Sequence, residues 1–267
     1  LERTGHTKIN TLSASGIGSL LGLIYAIDRL DDFYPVYKAF RQKFIENSDL
    51  SAMISLFSLL DRNYITEQTH KKVSGIVHMS YFDVETSKIV KRTNYRDKSD
   101  LLDTLRKSMH IPYIIDGNAM YKGGIDCGTP CILLRNPHVS TNTNLPREQI
   151  PTMFMMLSSI DKLKYCMNVR NDRNGMGKIM DGVIDTYRFF NYKNPTSMCS
   201  YVNEWTLCDR MYFRLRTLII TFILQGVLWG YKGYYMLPEE ITNSMLIVRM
   251  RGIYTGIFKE VINKLCC

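Results

Sequence analysis

The sequence predicts an α/β fold: a mainly parallel sheet flanked by helices, with a helical C-terminal half. Three observations carry this expectation. Residues 8–14 are strand-like and run through a turn with two glycines into an apolar helix. Residues 74–82 and 88–92 have the composition of two further strands. From residue 147 onward the pattern is helical almost throughout.

Taken in order, Ile9 and Thr11 give the first strand its β-branched character, and Gly16 and Gly18 punctuate the turn that follows. Residues 20–27 are apolar on nearly every face, which predicts a buried helix. Helices are expected over 34–45 and 50–60. Residues 83–87 form the turn between the strand at 74–82 and its return at 88–92. A helix at 99–109 carries Asp100 and Asp103 near its positive start. Residues 111–116 and 120–121 are expected as strands leading into Gly123 and Gly124. Helices then follow at 147–167, 178–192, 205–231 and 238–265, the last opened by Pro238 with Glu239 and Glu240. The organisation is a single domain over 1–267, with an α/β part at 1–135 and a mainly helical part at 136–267.

Composition narrows the class. With 45% hydrophobic and 22% charged residues the chain is ordinary for a packed globular protein. The formal charge of +9 is spread along the chain. It fits a solvated surface or an anionic partner or lipid surface, and no nucleic-acid recognition motif accompanies it. No run reaches the roughly 18 uninterrupted apolar residues of a spanning helix, so residues 218–229, which include Gln225, are expected as a buried helix. The 7 cysteines lack metal-ligand spacing. They predict reduced thiols in an intracellular, reducing compartment and no metal or cofactor. No signal-peptide pattern opens the chain, and the terminal Cys266-Cys267 pair has the form of a prenylation end.

Four motifs stand in order along residues 8–131. Ile17-Gly18-Ser19-Leu20-Leu21-Gly22-Leu23-Ile24-Tyr25-Ala26 follows the first strand. Ser80-Tyr81-Phe82-Asp83-Val84-Glu85-Thr86-Ser87 comes next, then Ser108-Met109-His110-Ile111-Pro112. The last begins Ile115-Asp116-Gly117, continues through Tyr121-Lys122-Gly123-Gly124-Ile125-Asp126 and ends at Pro130. Together they resemble the patatin-like acyl hydrolases, whose nucleophile elbow, T-D-x-x-T-G turn, A-S-x-x-I-P helix end and D-G-G segment occur in this order. The resemblance implies a serine nucleophile at the elbow and an aspartate base in the D-G-G segment.

The chain departs from that pattern where the chemistry lies. Aligning Ile17 and Gly18 puts Gly16 at the nucleophile position, Ser15 beside it and Ala14 at the first elbow glycine. Lys122, ahead of Gly123 and Gly124, falls on the aspartate. Glycine has no nucleophile and lysine cannot act as a carboxylate. Residues 1–7, with Gly5 alone, hold no glycine-rich oxyanion loop. The resemblance therefore implies a catalytically inactive scaffold, a structural or interaction component of a larger assembly such as a virion or organellar complex.

Other readings stay open at this stage. A shifted register makes Ser13 or Ser15 a nucleophile with Lys122 as base, and Asp116 and Asp126 are alternative carboxylates, giving a residual serine acyl hydrolase or phospholipase. A non-catalytic lipid binder is a third class. The turn does not match a dinucleotide fingerprint, because Leu21 stands where the third glycine belongs. The basic stretch at 169–178 is a solvated loop or an anion site, and the Met-rich residues 153–157 are core or an adaptable contact. Gly252 and Gly256, one helical turn apart, permit close helix packing.

Overall fold

The computed structural model describes residues 9–47, 50–113, 115–128, 151–153, 175–196 and 199–236, with isolated positions between 238 and 260. Two compact units are present. The larger comprises Ile9–Cys131 with Thr217–Leu265, and the smaller comprises Leu1–Lys8, Ile132–Arg216 and Cys266–Cys267.

The larger unit is built around β2, Val77–Asp83. Strand β1, Leu12–Ala14, pairs with it in parallel through Leu12↔Val77 and Ala14↔Met79. β3, Lys88–Arg92, returns along β2 in antiparallel register from Asp83↔Lys88 to Met79↔Arg92. β4, Gly124–Ile125, pairs antiparallel with Asp83 and Phe82. Since β3 occupies one edge of β2 at these positions, β1 and β4 share the other. The mainly parallel sheet expected from the sequence is therefore corrected: the protein is helix-rich, with a small mixed sheet whose pairings are mostly antiparallel. The physical reason is connection length. Residues 83–88 make a tight turn with Ser87 at φ 55°, and a turn that short can only reverse the chain.

Helices pack on this sheet. α1 is Ile17–Ala26, α2 Phe33–Asn47, α3 Ala52–Asn63, α4 Thr69–Val73 and α5 Lys98–Met109, with a 3-10 turn at Leu30–Asp32. Leu20, Leu23 and Ile24 of α1 join Leu56, Phe57 and Leu60 of α3, Val77 and Met79 of β2, and Leu101, Leu105 and Met109 of α5 in one buried cluster. Gly22 of α1 faces β2, where a Cβ would lie 3.5 Å from Val77 Cγ1, an ordinary contact. α5 starts where its sequence says it should: Asp97 Oδ1 accepts the Asp100 N–H at 2.8 Å. Asp100 in turn receives Arg92 Nη2 at 3.0 and 2.8 Å, tying α5 to β3. A second cluster, Phe82, Val84, Ile125, Cys127, Leu224 and Leu228, buries the far end of β2. Buried on both faces, β2 is the central strand.

The smaller unit contains β5, Pro151–Met153, antiparallel to β6, Cys199–Tyr201, and α6, Gly175–Tyr192. Phe189, Cys199 and Tyr201 form its buried cluster among the described residues. α7 runs Leu207–Met236, and its residues from Thr217 on belong to the larger unit.

Several local expectations change. Residues 111–113, 115 and 116 form turns and bends rather than a strand, and Tyr121 makes an isolated bridge with Gly124. The helix expected over 147–167 is interrupted by β5, and its other residues lie outside those described, as do most of 238–265 and most of the basic stretch at 169–178. The described positions 245, 249, 252, 253, 256 and 260 are helical, as expected. The helix at 218–229 is present within α7, but its expected burial is not. Leu218, Ile219, Phe222, Ile223 and Trp229 are exposed, with Leu224 and Leu228 buried.

Candidate functional site

The candidate site is the turn between β1 and α1. β1 ends at Ala14, and the chain must reverse direction sharply to lay α1 on the sheet. Gly16 makes that reversal at φ 58°, ψ −138°, a conformation that a residue with a side chain adopts only under strain. Three backbone hydrogen bonds hold it: Gly16 N–H to Ser108 O at 3.0 Å, Gly18 N–H to Ser15 O at 3.1 Å and Ser19 N–H to Gly16 O at 3.0 Å. Ile17 and Gly18 then enter α1, with Gly18 facing the Ala14 Cβ at ordinary contact distance. The geometry is that of a strand-to-helix elbow, in a backbone conformation that would strain any residue with a side chain, with glycine at its apex.

The group facing that apex is Asp126. A Cβ placed on Gly16 would lie 2.8 Å from Asp126 Oδ2, closer than carbon and oxygen pack. Asp126 is fixed at three points. Its N–H donates to His110 O at 2.8 Å, its Oδ1 accepts the Gly128 N–H at 2.8 Å, and it follows directly on β4. Burial pushes its carboxyl up to about 6, against the Gly128 N–H, which favours the charged form. The C-terminal end of α5 links the two groups, since Ser108 O receives Gly16 and His110 O receives Asp126. His110 is itself buried, with Nε2 3.2 Å from Asn118 O, and its pKa is lowered by that burial.

Lys122 sits at the tip of a hairpin. Tyr121 and Gly124 exchange backbone hydrogen bonds at 3.0 and 2.8 Å, so Lys122 and Gly123 are the two central residues of a tight hairpin. Their φ values of 45° and 76° are those of a type I′ turn, which explains Gly123 and leaves Lys122 at the tip. Lys122 is exposed and donates to Asp103 Oδ2 at 2.6 Å. That hydrogen bond and charge raise its pKa, the reverse of what a lysine base needs. Tyr121 Oη donates to Asp103 Oδ1 at 2.8 Å, completing a surface cluster. Asp103 also borders a polar cleft of about 280 Å³ with Asp61, Arg62, Ser99 and Arg106. Gly124 permits the close approach of β4 to α5, because a Cβ there would lie 2.6 Å from Lys107 Cβ.

The structure therefore brings Gly16 together with Asp126, and sets Lys122 beside Asp103. Ser13 lies in β1 opposite His78, and Ser15 lends its carbonyl to the turn. Ser19 is fully buried on α1, with no hydrogen-bond partner for its hydroxyl. Asp116 caps its own loop, accepting the Asn118 N–H at 2.9 Å. Counting back from Gly123-Gly124 leads to Lys122; the fold instead reaches the elbow with the residue after β4. Strand alternation carries the signal, since Ile125 goes into the core and the next residue points the other way. Among the described residues no group of three His, Cys, Asp or Glu could hold a metal ion. Among the described residues, Cys127 and Cys199 are buried cysteines not in a disulfide, and Cys208 is an exposed one.

No family model, curated protein or solved structure matches the chain.

Proposed function

We propose that this chain is a non-hydrolytic relative of the patatin-like acyl hydrolases that serves as a structural or interaction component of a larger assembly. The observation that carries this reading is the elbow itself. Its elbow backbone is present, its apex is Gly16, which adopts that backbone without strain, and the space a side chain would use is taken by Asp126 Oδ2. A carboxylate faces the turn with no nucleophile to activate. An elbow serine is what a hydrolase of this type would need there.

The residual-hydrolase reading draws less support. It requires a lysine able to lose its proton, and Lys122 is held as a cation by Asp103 at the tip of an exposed hairpin. An interaction role draws support from the exposed apolar side chains of α6 and α7, including Val183, Tyr187, Phe222 and Trp229.

A fluorophosphonate probe tests the proposal on the purified full chain. No serine is expected to label, and the signal should match that of heat-denatured protein. Specific labelling of Ser13, Ser15 or any other serine, lost on denaturation, would overturn it.

A further inference from the structure

α7 presents two different faces. Leu224 and Leu228 are buried against Phe82, Val84, Ile125 and Cys127, while Met211, Leu215, Leu218, Phe222, Trp229 and Met236 are exposed. Those six recur at intervals of three, four or seven residues, so they line one stripe along the helix, roughly opposite the buried face. Phe222 is 78% exposed and Leu224 only 7%. The helix is long and apolar enough, by length and composition alone, to cross a membrane, and 11% of its most apolar window is buried.

We infer that α7 is an in-plane docking helix for an anionic bilayer surface. Its outer stripe enters the lipid interface while its inner face stays on the protein. Three features select this occupant. Residues 217–231 contain no charged side chain, and Arg210, Arg214 and Arg216 precede them while Lys232 follows. Arg214 and Lys232 stand a whole number of turns apart, on the same flank of the helix. There they can reach anionic headgroups while their stems lie along the apolar stripe. The formal charge of +9 has the matching sign.

The same features disfavour the other occupants. A helical partner, including a second copy, is specified by charges flanking the apolar seam. Here the charges flanking the stripe, Arg214 and Lys232, are both positive, so a second copy would meet like charge. A bilayer span, which the helix would satisfy by length and composition, is disfavoured by charge. Its charge-free part covers about 22 Å at 1.5 Å per residue, short of the roughly 30 Å hydrocarbon core. Its inner face is also committed to the core. Trp229 and Tyr231 near one end suit the interface, where an aromatic ring meets both lipid and water.

This assignment does not depend on whether the elbow is inert. The test is flotation of the full chain with phosphatidylcholine vesicles, with and without a minor share of phosphatidylserine. Binding is expected with the anionic vesicles, weakened by added salt. It should fall by about tenfold or more in the variant carrying Leu218→Asp and Phe222→Asp. A second measurement avoids reliance on that variant's folding. Trp205→Phe leaves Trp229 as the remaining one of 2 tryptophans. Its fluorescence should be quenched more by lipids brominated near the headgroup than by those brominated at the chain ends. Failure to float with anionic vesicles, equal binding by the folded double variant, or strongest quenching from the bilayer centre would each overturn the inference. So would self-association that the aspartates abolish in a chain that does not bind vesicles.

Discussion

Replacing Gly16 by alanine asks whether Asp126 holds the elbow closed. Alanine at φ 58°, ψ −138° carries a backbone strain of about 1–3 kcal/mol. Its Cβ would also lie 2.8 Å from Asp126 Oδ2, a contact that forces the short, doubly anchored aspartate to shift. Overpacking of that kind costs about 1–3 kcal/mol. Gly16→Ala should therefore destabilise the chain by about 2–6 kcal/mol. In an Asp126→Ala background the carboxylate is gone, and only the strain of about 1–3 kcal/mol remains. The coupling between the two sites is then about 1–3 kcal/mol, a large value for a double-mutant cycle. Urea unfolding of the four proteins at one pH, followed by circular dichroism, measures it. If Gly16→Ala costs less than about 1 kcal/mol, the turn is not strained as described. If it costs the same with and without Asp126, the carboxylate does not face Gly16.

Two further outcomes are expected. The Asp126 carboxyl has a folded pKa raised to about 6 from 3.8, so the native state favours its neutral form. That contribution is fully present below pH 4 and is lost as pH rises through about 6, a swing of roughly 3 kcal/mol at 1.36 kcal/mol per unit. Asp126→Asn keeps an oxygen for the Gly128 N–H and removes the charge. It should flatten the urea midpoint between pH 4 and 7 and gain stability at pH 7, and a profile parallel to the parent's would contradict this. Gly124→Ala should lower stability by about 1–3 kcal/mol through overlap with the Lys107 stem. A thermal midpoint within error of the parent's would show that β4 and α5 are not packed so closely.

Much of the local structure follows from local chemistry. The 83–87 turn between two strand-like runs encodes the β2–β3 hairpin. Asp97 at the start of α5 is a cap whose carboxylate needs only the N–H of the residue three places on. Paired glycines in the elbow mark a conformation that other residues resist, and Gly16 adopts it. Each of these depends on groups within a few residues of one another, so the linear pattern contains what decides them.

What tertiary structure alone decided depends on partners far apart in the chain. Sheet direction was misjudged because the strand–turn–helix at the start suggested repeated parallel crossovers. The β2–β3 hairpin and the placement of β4 instead make most pairings antiparallel. The carboxylate opposite Gly16 is Asp126, brought there by the β4 pairing to Phe82 and by the turn after α5. Motif spacing pointed to Lys122, which a two-residue hairpin turns outward to Asp103. The apolar run in α7 reads the same whether its helix is buried or exposed. Composition sets how much apolar surface a helix carries, but only packing decides which part is covered. Here Leu224 and Leu228 meet the sheet and the opposite stripe meets solvent.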